Sequence, residues 1–151
     1  MKRTLHIKIL LFALITFVFM SCGKNGIFTA PQDKIIGQWS YVSVKFSHNF
    51  TTDDLTQEYK NLILDFRNQR DVFLIDERSG NTQKGTWTMK EDTYTTEEST
   101  YTTYSLFLSF YDTTTGDIQQ QLWDEVSVGK RYLRGTENYS DGSVSYKLER
   151  K

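Results

Sequence analysis

The chain has 151 residues, with 18 Lys or Arg against 19 Asp or Glu, one Cys, one Pro and two His. That length suits one domain. One Cys excludes an internal disulfide framework, the Cys and His count falls short of the roughly four soft ligands of a zinc cage, and the near-neutral balance lacks the electrostatic footprint of a nucleic-acid binder.

The chain opens with Lys2, Arg3 and Lys8 and no acid, then runs from Ile9 to Met20 with only Thr16 polar, then reads Ser21-Cys22. A basic start, an apolar run and a small residue make the order of a secretory signal. The apolar run is too short to cross hydrocarbon, which takes about 20 residues. Phe19-Met20-Ser21-Cys22 resembles a lipobox, in which Cys becomes the first mature residue and is lipidated. This reading makes residues 1–21 a lipoprotein signal peptide and Cys22 the lipidation site. An ordinary cleaved signal is the plainer alternative. Two or more acyl chains hold a protein on a membrane where one does not. The expected location is the bacterial cell envelope, lipid-anchored at the outer membrane and facing the periplasm, because no acidic run follows Cys22 as an export mark.

Without the signal, 130 residues remain, with 15 basic and 19 acidic side chains and a net charge of −4. About a third of them are apolar, against a usual 45–50%. Residues 22–33, with two Gly and the only Pro, read as a flexible tether. Residues 34–151 read as one domain. The mature chain keeps a single Ala, with 17 Thr, 19 aromatics and 12 Val or Ile. This is the β-favouring set, and the predicted class is all-β.

Period-two alternation and turn signals place the strands in order. Trp39–Phe46 comes first, followed by a polar stretch, Thr51–Lys60, that is a loop or one helical turn. Leu62, Leu64 and Phe66 share a face of the second strand. After Arg67-Asn68-Gln69-Arg70 comes Val72–Asp76, and Ser79-Gly80-Asn81 turns into Thr82–Lys90. Glu91-Asp92 reads as the next turn and Tyr94–Ser99 as an edge extension. Tyr101–Tyr111, Ile118–Trp123, Lys130–Asn138 and Ser143–Arg150 complete about eight strands. No connection is long enough for a parallel crossover. Sequential antiparallel strands closed on themselves leave no free edges, so the expected fold is an eight-stranded antiparallel up-and-down β-barrel.

Ile35-Ile36-Gly37-Gln38-Trp39 resembles the Gly-x-Trp opening of lipocalins. Leu64-Asp65-Phe66, Gly85-Thr86-Trp87, Leu106-Phe107-Leu108, Tyr132-Leu133-Arg134 and Tyr146–Arg150 follow in the order of bacterial lipocalin-like lipoproteins. The resemblance implies that Gly37 and Trp39 close the barrel base. In an eight-strand meander the first strand begins where the last one ends. Arg150 is therefore expected over the Trp39 ring, with Arg134 as the rival partner.

Candidates for chemistry are few. A nucleophilic site would have to use His48 as its base, and Ser47-His48-Asn49 reads as a strand end. The neighbouring acids Asp53-Asp54, Asp76-Glu77, Glu91-Asp92 and Glu97-Glu98 point to opposite faces where they lie on strands, so they read as turn and rim charges rather than as a glycosidase pair or a calcium site. Lys130, Arg131, Arg134, Lys147, Arg150 and Lys151 interleave with Tyr132 and Tyr146, but export and net charge disfavour nucleic acid. No catalytic residue, metal or cofactor is expected. An eight-stranded barrel either fills itself or holds one small ligand. Phe66, Trp87, Tyr104, Phe110 and Leu122 are the candidate lining residues for a small hydrophobic ligand. The alternative is a filled barrel serving as a protein-interaction or inhibitor module, with Thr51–Lys60 and Tyr94–Thr103 against an envelope protein.

Overall fold

The computed structural model describes residues 30–96, 99–113 and 115–151. The signal segment 1–21, Cys22 and the tether up to residue 29 lie outside the described residues. A short helix α1 (Pro31–Ile35) leads into β1 (Gly37–His48), β2 (Thr51–Asp54), helix α2 (Thr56–Tyr59), β3 (Leu62–Phe66), β4 (Asp71–Asp76), β5 (Thr82–Thr95), β6 (Thr100–Tyr111), β7 (Ile118–Val128), β8 (Tyr132–Tyr139) and β9 (Gly142–Arg150). Every pairing is antiparallel, and β1 and β3 to β9 follow one another around the sheet. Pairing of β1 with β9 closes the ring, Trp39 opposite Arg150. The domain is an eight-stranded up-and-down β-barrel, as the alternation predicts.

One end, the base, holds the start of β1, the β3–β4 turn and the end of β9. The other end, the mouth, holds the β1–β2 turn, the β4–β5, β6–β7 and β8–β9 connections, and α2. Inward positions carry Trp39, Val44, Leu64, Phe66, Val72, Trp87, Leu106, Leu108, Phe110, Trp123, Leu133 and Leu148, all buried in one cluster. Aromatic rings do the filling that scarce aliphatics cannot. Phe66 meets Trp87 edge-on with centroids 5.5 Å apart, and Trp123 stacks on Tyr146 at 4.4 Å. Such pairs add about 0.5–1.5 kcal/mol each beyond area burial.

The structure departs from the sequence expectations at four places. Thr51–Lys60 contains the expected single helical turn, α2, but ahead of it a ninth strand, β2, pairs with residues 45–48 of β1, on the edge that β3 uses nearer the base. Pro31 sits in the first turn of α1, where its missing N–H costs nothing, so the helix takes in residues 31–33 of the expected tether. In β1, register slips between Tyr41 and Ser43. This bulge switches the inward set from Trp39 and Tyr41 to Val44 and Phe46. The expected turn at Glu91-Asp92 is absent. That pair lacks Gly, Pro or Asn, and β5 runs through it to Thr95, pairing with β6 up to Thr95 opposite Thr100.

Candidate functional site

The base is closed by the predicted residues. Arg150 lies 4.2 Å from the Trp39 ring centroid. Its Nη1 donates to the Ile36 carbonyl at 2.8 Å, its Nη2 to the Lys34 carbonyl and its Nε to the Lys130 carbonyl at 3.2 Å. Trp39 Nε1 donates to the Ile35 carbonyl at 2.6 Å. Gly37 has φ +124°, and a Cβ there would stand 2.7 Å from Arg150 Nη1. Glycine is thus required twice, for its backbone and for the room it leaves the guanidinium. Arg134 instead lies 5.4 Å from the Tyr132 ring, alongside Arg131 and Lys147. Tyr146 of the same stretch faces the interior, so the basic cluster and its two tyrosines are divided between the two sides of the wall.

Of the five candidate lining residues, Phe66, Trp87 and Phe110 are buried in the core and Tyr104 packs partly buried against it. Leu122 is a correction. It is 49% exposed on the outer wall opposite Phe107, while its neighbour Trp123 takes the inward position opposite Leu106. The inward face of β7 near the mouth reads Gln119, Gln121, Trp123, and the outward face carries Ile118 and Leu122. Polarity is inverted there because the inner side lies at the open end of the barrel, where Gln119 is exposed and Gln121 half-buried. The outer apolar side chains pair with Tyr111 and Phe107 of β6.

At the mouth lies a cavity of about 350 Å³ bounded by Leu62, Leu74, Asp76, Gln83, Tyr111 and Asp112, with Asn81, Thr82, Lys84 and Thr113 around them. None of the five predicted lining residues borders it. Asp76 already accepts the Arg78 N–H at 2.9 Å and the Ser79 hydroxyl at 2.7 Å, and these bonds hold its carboxyl below the usual range. Asp112 accepts the Thr115 N–H at 3.2 Å.

Packed on Tyr59 of α2 lies a polar cluster that alternation marks only in hindsight. Glu137 shares an inward face with Leu133 and Gly135 and is 8% exposed. The Tyr146 hydroxyl donates to its Oε2 at 2.9 Å. Tyr41, Tyr59 and Tyr146 pack with ring centroids 5.3–6.2 Å apart. Burial first, and the Glu137 carboxylate second, push the Tyr146 phenol far up, and they raise Tyr139 to about 12. Tyr41 and Tyr59 are raised mainly by burial. Phenols that stay protonated serve here as donors to a carboxylate that lacks a cation partner among the described ion pairs.

The mouth rim carries a second feature. Asn49 and Phe50 form the β1–β2 turn with φ of 41° and 70°. This turn normally takes Asn-Gly. A Phe in the left-handed region costs about 1–2 kcal/mol, and this one is fully exposed. A groove of about 510 Å³ runs between this turn and Asn138, Asp141, Gly142 and Ser143 of the β8–β9 end. His48 borders it, stacked on Phe46. Its Nε2 lies 3.3 Å from Asp53 Oδ2 and 3.2 Å from Thr51 Oγ1. Both partners meet the same nitrogen, whereas a catalytic relay uses the two ring nitrogens separately. Among the described residues, no three His, Cys, Asp or Glu side chains are placed to hold a metal ion.

No protein-family model, curated protein or solved structure matches this chain.

Proposed function

We propose that this chain is a non-catalytic binding protein of the bacterial cell envelope, a lipocalin-like lipoprotein held by acyl chains on Cys22, and that it binds a protein partner at the barrel mouth. The observation that carries the proposal is Phe50. Stability alone would place Gly in that turn, yet the chain spends backbone strain to hold an aromatic ring clear of the surface. Strained, exposed positions of this kind cluster at binding sites. The filled interior supports the same reading, since Phe66, Trp87 and Phe110 are committed to packing. Exposed Tyr139 and Tyr111 add aromatic surface at the same end. A photocrosslinking residue in place of Phe50, in cells, is expected to capture one envelope protein. Capture of nothing there, with capture at an outer-wall position such as Leu122 instead, would move the partner off the mouth.

A second reading, binding of a small ligand, is favoured by the mouth cavity, which falls within the usual 300–1,000 Å³ of ligand sites. Leu62 and Leu74 offer it an apolar floor, and Gln83, Asn81 and Lys84 offer hydrogen bonds. A hydrophobic ligand on this reading sits on that floor, not in the barrel centre. Leu74→Trp would fill the floor and abolish binding of such a ligand while leaving capture at Phe50 unchanged.

A further inference from the structure

The long β5–β6 hairpin leaves the barrel behind. Pairing of β4 with β5 ends at Asp71 opposite Thr86, and pairing of β6 with β7 begins only at Leu106 opposite Trp123. From Thr88 to Thr95 and from Thr100 to Ser105 the strand ladder joins the two strands only to each other; at the root, Met89 and Tyr104 still pack on the core and Ser105 reaches Asp124 of β7, and from Thr100 to Thr102 the edge is exposed. A two-stranded ribbon is marginal in water, and stability usually takes three or more strands. Open strand edges are normally blunted by charge, proline, bulges or cover. The β5 edge follows that rule, with Lys90, Glu91 and Asp92 along it and the Gln32 side-chain amide donating to the Met89 carbonyl at its root. The β6 edge does not. Thr100-Tyr101-Thr102-Thr103-Tyr104-Ser105 holds no charge, no Pro and no Gly.

The hydrogen-bond phase of that edge can be worked out. The Thr96 N–H donates to the Ser99 carbonyl at 2.8 Å. Hydrogen-bonded and non-hydrogen-bonded pairs alternate along an antiparallel ladder. Tyr94–Tyr101 is therefore a bonded pair, and Thr93–Thr102 and Thr95–Thr100 are not. Thr100 and Thr102 consequently turn their N–H and carbonyl groups outward, unpaired. On one face of the ribbon Tyr94 and Tyr101 stack at 5.4 Å with ring planes 20° apart, both half exposed.

We propose that the β6 edge pairs antiparallel with the same edge of a second copy of this chain, about a two-fold axis at Tyr101. Thr100 of each copy then bonds Thr102 of the other, so the outward backbone groups satisfy one another. Tyr101 faces the second Tyr101 as a non-hydrogen-bonded pair, the arrangement that brings side chains closest, about 4.5 Å between Cα atoms. The observed two-ring stack becomes a row of four, and two marginal ribbons become one four-stranded sheet. Along the residues from Thr100 to Thr102, no charge meets a like charge. The self-complementarity of this register selects a second copy over a foreign strand, which would have to match an uncharged edge without the tyrosine row.

Full-length Tyr101→Cys, expressed into the oxidising envelope, tests the register. A Cα separation of about 4.5 Å lies inside the disulfide range of about 4.4–6.8 Å. Two copies of Tyr94 lie three strand spacings apart, about 14 Å, beyond reach. The expected result is a covalent dimer on a non-reducing gel with Tyr101→Cys, at least tenfold above both Tyr94→Cys and the unsubstituted chain. Thr102→Pro added to Tyr101→Cys removes an outward N–H and is expected to abolish the dimer, with tryptophan fluorescence unchanged because Thr102 is exposed and lies outside the core. Equal dimer from both cysteine positions, no dimer above the unsubstituted chain, or a disulfide from Tyr101→Cys to a different protein would each overturn the proposal.

Discussion

Replacing Arg150 with Leu tests the base of the barrel most severely. The guanidinium lies over Trp39 at 4.2 Å and donates to the carbonyls of Ile36, Lys34 and Lys130. The first two carbonyls sit in partly buried positions, and each costs about 1–3 kcal/mol when left without a donor. The Lys130 bond is exposed, so water replaces it at little cost. Loss of the cation–π contact removes about another 1 kcal/mol. Leucine regains some of this by covering the Trp39 ring, and a net loss of about 3 kcal/mol remains. At this size each kcal/mol moves the melting temperature by about 4 °C, so a fall of about 12 °C is expected. Urea denaturation followed by tryptophan fluorescence reads the same loss directly. Arg150→Lys should lose about half as much, because an ammonium keeps the charge but reaches fewer carbonyls. Arg131→Leu is the control. Its partner Glu149 is a surface one, worth less than about 1 kcal/mol. The reasoning fails if Arg150→Leu costs no more than Arg131→Leu.

Phe50→Gly is expected to stabilise the domain by about 1 kcal/mol, by releasing left-handed strain, and to abolish partner capture at the mouth; a loss of stability would show that the ring packs on something. Gly135→Ala sets a Cβ 3.0 Å from Trp123 Cβ, with overpacking costing about 1–3 kcal/mol, and equilibrium unfolding that matches the parent would show that Trp123 has room to give. The raised phenols of Tyr41, Tyr59, Tyr139 and Tyr146 keep their protons in the folded state at pH values where the unfolded chain loses them. The folded state then binds more protons, so stability falls as pH rises above about 10. Unfolding midpoints between pH 9 and 11 check the sign, and Glu137→Gln should flatten the fall because it removes the buried negative charge.

Much of the fold is legible in the sequence because barrel strands alternate. Trp39, Leu64, Phe66, Trp87, Leu106, Leu108 and Phe110 are inward as the period-two pattern requires, and chain order alone brings Arg150 to Trp39. Alternation fails where an extra residue enters a strand. The bulge at Val42 and the break between Asp124 and Ser127, with Glu125 at φ 53°, each shift the inward set by one. It also fails at the mouth, where the inner wall lies at the open end of the barrel. Gln119 and Gln121 point inward there and Leu122 outward, so hydrophobicity names the wrong side. Glu137 shows the same limit. Its parity with Leu133 and Gly135 marks it as inward, but no local signal says that Tyr146, on the neighbouring strand, supplies the hydroxyl that bonds it. The rim Phe50 is legible only as a residue out of keeping with its turn, and that depends on knowing the turn.

The central claim is that this barrel is filled and acts through its surface. Native mass spectrometry of the full-length protein, extracted in mild detergent from cells expressing it, tests that claim directly. The expected mass is that of the chain from Cys22 with the proposed acyl groups, singly or as a dimer, with no further bound apolar molecule. A stoichiometric hydrophobic adduct, retained by the parent and lost when Leu108→Trp fills the barrel centre, would contradict it.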